Sequence, residues 1–312
     1  MALQSSGLIT LAQIQAELGG ANPIGLSEYY RGGLYTQANN TGVPASGSIS
    51  LSDFYDSQRG FAFTISSNTQ EANLSTLATA AGWNGTDILV ATIASGVYVW
   101  SDNISNPGLL INVANCFITN NGFIIGRGGN GGFSGAGQAG GPAINVTTSG
   151  VAITNASGAY IAGGGGGGGS GKEGSDSDRA GGGGGAGGGV GGGYGGGAGG
   201  LPGQLGGDGT FASSGATNAT GGSHGGGGMS REDVDGGGKD AASSGGGRQP
   251  SGTTVSANAI AGGIVGGRGG FWGEAGTESN GYNRGAPGAG GAAITGTSPS
   301  LTNNGTIYGS TV

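Results

Sequence analysis

Apolar positions in residues 1–60 recur in a small theme: "ITLAQI" at 9–14, "IGLSEY" at 24–29 and "ISLSDF" at 49–54. In each, an isoleucine precedes a small or hydroxyl residue and a leucine. Gln13, Glu28 or Asp53 then falls three positions after Thr10, Gly25 or Ser50. That spacing is a capping box or a near relative, in which the N3 side chain reaches back to a free N–H at the helix start. It predicts three short helices, and helices this short need an apolar surface to dock on. A self-contained helical subdomain and an attachment module that docks on a partner both fit. The second would use Leu11, Ile14, Leu26, Tyr29, Leu51 and Phe54.

From residue 61 the pattern changes. "NTQEANLSTLATAAG" at 68–82 reads as one helix capped by Asn68, with Glu71 at N3, running through Leu74, Leu77 and Ala81 to a stop at Gly82. "DILVATI", "GVYVW" and "GLLINV" then read as strands, from their alternating or continuous β-branched residues. Residues 61–122 are expected to form a small α+β domain.

Beyond residue 122 a rung-like unit repeats: "TNNGFIIG" at 119–126, "TNASGAYIAG" at 154–163, "TNNGTIYG" at 302–309, and more loosely "SANAIAGG" at 256–263. Each pairs an Asn turn with two or three β-forming residues and then glycine. Stacked rungs would bury Ile124, Ile153, Ile161, Ile260 and Ile307, leaving the intervening tracts to depart from the stack and return to it.

Composition sharpens this picture. Of 84 glycines in 312 residues, 14 lie in 1–122 and 70 in 123–312. No Gly-X-Y period is kept and proline is scarce, which excludes collagen. Ordering a backbone costs roughly 1–2 kcal/mol per residue, most for glycine. A lone polyglycine strand in the threefold extended helix has no internal hydrogen bonds to offset that. A bundle of such strands does, because each bond to a neighbour returns about 0.5–1.5 kcal/mol. Only hydrogen side chains let backbones pack so closely. The tract Ala162–Gly169 would extend about 25 Å at roughly 3.1 Å per residue. The chain must then reverse, and the reversals would carry the non-glycine clusters "FSGAGQ" at 133–138, "KEGSDSDR" at 172–179, "REDVD" at 231–235 and "FWGEAGTESNGYNR" at 271–284. Side chains for recognition are concentrated there, which singles out Phe133, Lys172, Asp176, Asp178, Arg179, Arg231, Phe271, Trp272, Tyr282 and Arg284 as candidates for contact with a binding partner.

Charge and chemistry exclude more than they add. Seventeen acidic and ten basic residues give a net charge of −7, which repels phosphates, so the "RGG" triplets at Arg31, Arg127 and Arg268 do not make an RNA-binding arm. No apolar stretch approaches the roughly 20 residues of a membrane span. The N-terminus lacks the basic flank of a signal peptide, so synthesis in a cytoplasm and no membrane insertion are expected. One cysteine, Cys116, and one histidine, His224, provide neither a disulfide nor a metal cluster, and no cofactor is expected. Cys116 sits in "INVANCFIT" as a small buried hydrophobe. Gly166, Gly171 and Lys172 have P-loop spacing, but Glu173 stands where a Ser/Thr should hold magnesium. "GGSHGGGG" offers His224 no packed setting for a catalytic triad, so no enzyme is expected.

"IIGRGGNGGFSGAGQAGGPAI" at 124–144, "SGAYIAGGGGGGG" at 157–169 and the closing "NNGTIYGSTV" resemble the glycine-rich adhesins at the tail-fibre tips of T-even-type bacteriophages. The resemblance covers about residues 62–312. It implies a sandwich of polyglycine II helices on a β-rung base, with loops at the far end that bind a bacterial outer-membrane protein or glycan. Residues 1–60 resemble N-terminal modules of phage virion proteins, which implies attachment to other tail or virion proteins and leaves a homotrimer open. The expected organisation is therefore a virion-attachment module at 1–60, a small α+β domain at 61–122 and a glycine-rich sandwich at 123–312. A tail-tip adhesin and a structural virion component without a receptor are the two functions this supports, with the aromatic loops favouring the adhesin.

Overall fold

A computed structural model of the chain describes residues 2–33, 35–37, 40–132, 135–172, 179–180, 185, 187, 267, 269–278 and 284–312. The three N-terminal repeats each build a helical turn: α1 at Leu11–Leu18 and 3-10 turns at Leu26–Tyr29 and Leu51–Phe54. The N3 side chains act as expected. Gln13, Glu28 and Asp53 accept from the backbone N–H of Thr10, Gly25 and Ser50 at 2.8, 2.9 and 2.7 Å.

The repeat also fixes burial. Ile14, Tyr29 and Phe54 occupy the same register, four residues after each cap, and each is 0% exposed. Ile9, Ile24 and Ile49 precede the caps and pack in the same cluster, as a hydrophobic staple requires. With Leu18 and Val43 these residues make a core of their own. This corrects the expectation that Ile14, Tyr29 and Phe54 face a partner: their stapled N4 positions turn them inward. Leu11, Leu26 and Leu51 stay half-buried at the helix starts.

From residue 60 the chain winds as a three-sided solenoid of parallel strands. The first coil supplies β1 (Gly60–Ile65), β2 (Thr69–Gln70) and β3 (Ala72–Asn73), followed by helix α2 (Leu74–Ala80). The second supplies β4 (Ile88–Ile93), β5 (Tyr98–Trp100) and β6 (Leu109–Ile111), and the third β7 (Phe117–Asn120), β8 (Phe123–Ile125) and β9 (Ile144–Val146). The fourth opens with β10 (Ala152–Asn155) and β11 (Tyr160–Ala162). It departs through a stretch holding β12 (Gly171–Lys172) and β13 (Arg179–Ala180), and resumes at β14 (Ile294–Gly296). A last partial coil is β15 (Ser300–Asn303) and β16 (Thr306–Tyr308). Like strands stack into sheets ordered β1-β4-β7-β10-β15, β16-β11-β8-β5-β2 and β14-β9-β6-β3.

Two expectations change here. The helix placed at 68–81 begins at Leu74, because residues 69–73 are drawn into the sheets and Asn73, not Asn68, caps it by accepting from the Thr76 N–H at 3.2 Å. The boundary at residue 122 also disappears: residues 61–122 and 123–312 share all three sheets, so the α+β domain is the first half of one solenoid. The rungs do stack as read. Val99, Ile124, Ile161 and Ile307 align across the second sheet and point into the common core. Ile260 lies outside the described residues.

The Asn of each rung has a specific task. Asn120, Asn155 and Asn303 are in register, and Asn120 donates to Asn155 Oδ1 and Asn155 to Asn303 Oδ1, each at 2.8 Å. The second N–H of each donor goes to the carbonyl of Tyr160 or Thr306 at 3.2 Å. Such a ladder satisfies amides that are 0% exposed at Asn120 and Asn155, and it locks the register between coils. Gly122 completes that turn, because a Cβ there would lie 2.4 Å from the Val97 carbonyl oxygen. Cys116 is 0% exposed, and burial pushes its thiol pKa up to about 12.

Candidate functional site: a glycine lattice on one corner

The connections from the second sheet to the third grow along the solenoid. Residue 71 alone joins β2 to β3, 101–108 join β5 to β6, 126–143 join β8 to β9, and 163–293 join β11 to β14. All four leave the same corner, so the two long glycine-rich excursions rise side by side. What lies between them follows from the hydrogen bonds.

Each carbonyl from Gly163 to Ser170 accepts a backbone N–H, the donors in order being Gly273, Gly291, Gly129, Gly270, Gly288, Gly132, Gly267 and Gly285. The N–H groups of the tract go outward as well: Gly164, Gly167 and Ser170 donate to Gly141, Gln138 and Gly135, and Gly166 and Gly169 to Glu274 and Thr277. Partners recur at every third residue, the period of an extended threefold strand. Segments 126–132 run parallel to the tract, while 135–141 and 285–291 run antiparallel to it. The residue types follow from the spacing. A Cβ on Gly164, Gly166, Gly167 or Gly185 would sit 1.9 Å from a backbone oxygen of a neighbouring segment. At the outer positions Ala286 and Ala289 are exposed, two period-three places where a methyl fits. Arg127, the centre of one "RGG", is a lattice residue whose carbonyl accepts from Gly141 at 2.7 Å.

The lattice has two ends. At the solenoid end, Gly163 donates to Tyr308, and Ala143 accepts from Leu109. At the far end the flanks of three reversals converge. Gly132 bonds to Gly168, Ser170 bonds to both Gly135 and Gly285, and Gly169 donates to Thr277. There Gly171 and Lys172 pair antiparallel with Ala180 and Arg179, the reversal expected at "KEGSDSDR". Glu278 and Arg284 flank the third and form an exposed ion pair at 3.7 Å, of little energetic weight. Lys172, Arg179 and Arg284 thus stand at or beside the far end. Phe133, Asp176, Asp178, Arg231 and Tyr282 lie outside the described residues, as does His224.

Phe271 and Trp272 are the exception, and they correct the sequence reading. Residues 267 and 269–270 on one side and 274–277 on the other flank a turn, 271–273, that points at the solenoid rather than away from it. Trp272 is 1% exposed, packed with Tyr98, Ile125, Tyr160 and Ala162 on the outer face of the second sheet, and Phe271 is half-buried edge-on to Tyr308 at 5.9 Å. A row of rings, Tyr98, Phe123 and Tyr160, with centroids 4.6 and 4.4 Å apart, prepares that face. Trp272 therefore latches the lattice to the solenoid and cannot anchor a receptor. The signal available in the sequence was the outward-facing aromatic at the same rung position in "GVYVW", "GFIIG" and "GAYIAG".

No helix among the described residues is long and apolar enough to cross a membrane, and no group of three or more His, Cys, Asp or Glu among them is placed to hold a metal. Among known families, the model of the phage tail fibre adhesin Gp38 matches residues 60–312. Among solved structures, the chain is similar to the gp37-gp38 adhesin tip complex of the bacteriophage S16 long tail fiber, at 19% identity and a TM-score of 0.47, over 99% of this chain and 100% of that one. No curated protein matches the chain.

Proposed function

Because the chain belongs to the phage tail fibre adhesin Gp38 family, we propose that its solenoid is a pedestal and its glycine lattice a polyglycine II sandwich that holds recognition loops away from the fibre. The protein is a bacteriophage tail-fibre adhesin, a binding protein of the virion tail. Its partner in recognition is a bacterial surface receptor, a protein or a glycan. The observation that carries the reading is the shared corner: both long excursions leave it, and three reversals converge at the far end of the lattice. A scaffold almost without side chains makes no recognition contacts itself, so contact falls to the turns, with Lys172, Arg179 and Arg284 at their feet and Phe133, Asp176, Asp178 and Tyr282 within them.

Residues 1–59 lie outside the family match and have their own core, and we assign them attachment to other tail proteins. Leu8, 86% exposed, together with the half-buried Leu11, Leu26 and Leu51, supplies the apolar surface. The test of recognition is to replace 173–178 by a Gly/Ser segment of equal length and measure phage adsorption alongside thermal melting. Loss of adsorption with unchanged melting is expected. Full adsorption by this variant and by an equivalent replacement of 279–283 would overturn the loop assignment.

A further inference from the structure

A second recess lies at a different corner of the solenoid, where the chain passes from the third sheet to the first. Helix α2 and residues 81–87 join β3 to β4 there, and residues 112–116 join β6 to β7. Gln58, at the end of the N-terminal module, closes one side, and the recess has a volume of about 460 Å³. The half-buried Trp83 forms an aromatic wall, fixed because its Nε1–H donates to the Asp87 carbonyl at 2.8 Å. Asn84 Oδ1 accepts from the N–H groups of Thr86 and Asp87, both at 2.9 Å, which sets the loop. Asn112 is already committed, accepting from the Ser75 N–H at 3.1 Å and donating to Ser75 Oγ at 2.9 Å and Asn73 Oδ1 at 3.2 Å. Two polar groups remain without side-chain partners among the described residues, the Asp87 carboxylate and the Asn115 amide. Asn115 is held at φ 51° with its N–H bonded to the Ser149 carbonyl at 3.0 Å.

We propose that this recess binds one neutral pyranose unit of a bacterial surface glycan, stacked on Trp83 and hydrogen-bonded by Asp87 and Asn115. A pyranose has an apolar C–H face and a rim of hydroxyls, and an indole face matches the first. A carboxylate takes two neighbouring hydroxyls through charge-assisted bonds, and a primary amide both donates and accepts. An apolar ligand would leave Asp87 and Asn115 unmatched, and an anion would meet the Asp87 charge with no Lys or Arg in the lining. The volume lies within the range of small-ligand sites, about 300–1,000 Å³. The site sits at a different corner from the lattice, so it acts independently of the receptor loops. A weak second contact of this kind lengthens residence on a glycan-coated cell through effective concentration rather than affinity.

The test is saturation-transfer NMR on the full chain with glucose, galactose, N-acetylglucosamine and a heptose, each at millimolar concentration. Transfer to at least one sugar is expected, weakened roughly tenfold in affinity by Asp87→Ala and likewise by Asn115→Gly. Both variants should melt close to the parent, since neither side chain has a hydrogen-bond partner to lose among the described residues, Asn115 Oδ1 only resting against Gly150, and glycine adopts φ 51° freely. Absence of transfer from all four sugars, or transfer that survives both substitutions, overturns the proposal. Adsorption lost on replacing 173–178 while sugar transfer persists separates this site from the receptor loops.

Discussion

Adding one methyl group inside the glycine lattice should be among the most damaging small changes the chain can suffer. In Gly166→Ala the new Cβ would lie 1.9 Å from the Gly288 carbonyl oxygen and 2.5 Å from its carbon, where ordinary contact begins at 3.4 Å. The two segments must part by about 1.5 Å, and both obstructing atoms are backbone that cannot rotate away. That displacement stretches the bond from Gly288 N–H to the Gly167 carbonyl, 2.8 Å, and the bond from Gly276 N–H to Gly288, 2.9 Å, beyond hydrogen-bonding range. Two lost bonds at about 0.5–1.5 kcal/mol each, plus overpacking at about 1–3 kcal/mol, give about 2–6 kcal/mol. For a domain this size, at about 2–4 °C per kcal/mol, the melting temperature should fall by roughly 5–20 °C. Calorimetry on Gly166→Ala beside Ala289→Gly measures it. Ala289 is exposed, so its loss should cost less than about 1 kcal/mol. A Gly166→Ala protein that melts within about one degree of the parent would refute close packing around this tract.

Trp272→Ala should lower stability by about 3–5 kcal/mol, the usual cost of emptying a buried aromatic site, and calorimetry should show this even in isolated protein without any receptor. Asn155→Ala removes the middle of the amide ladder: one N–H of the buried Asn120 amide loses its acceptor while the other keeps the Tyr160 carbonyl, and the Thr306 carbonyl loses a donor, at about 1–3 kcal/mol in all, whereas Asn303→Ala at the exposed end should cost less; urea titration compares them. Removing residues 1–59 should leave a folded solenoid by circular dichroism that no longer joins tail fibres, because the two parts have separate apolar cores. Cys116 should resist thiol reagents in the native state. Its thiol stays protonated until about 12 when folded but ionises from about 9 when unfolded. Its contribution to stability is therefore complete below pH 9 and declines between pH 9 and 12, by about 1.4 kcal/mol per unit of pH. A Cys116→Ala variant should lack that part of the alkaline decline.

The sequence by itself determined what is local and periodic. The caps at Thr10, Gly25 and Ser50, the strands around Leu89, Val99 and Leu109, and the rungs ending in Ile124, Ile161 and Ile307 all rest on the spacing of a few residues, and spacing is visible in one dimension. The glycine tracts were legible as a lattice only in principle, through the need of every backbone N–H and carbonyl for a partner. Which segments would meet was not, since glycines carry no side chain to distinguish one neighbour from another. Tertiary structure alone decided three things. Residues 69–73 went to the sheets because strands already paired on both sides of the core outweigh one more turn of helix at Asn68. The boundary at residue 122 vanished because a change in composition is not a change in hydrogen bonding, and the sheets run straight across it. Phe271 and Trp272 turned inward because the direction of a turn depends on which strands flank it. The same "FW" at the other end of its tract would have met no such surface, and only the row formed by Tyr98, Phe123 and Tyr160 makes it a latch.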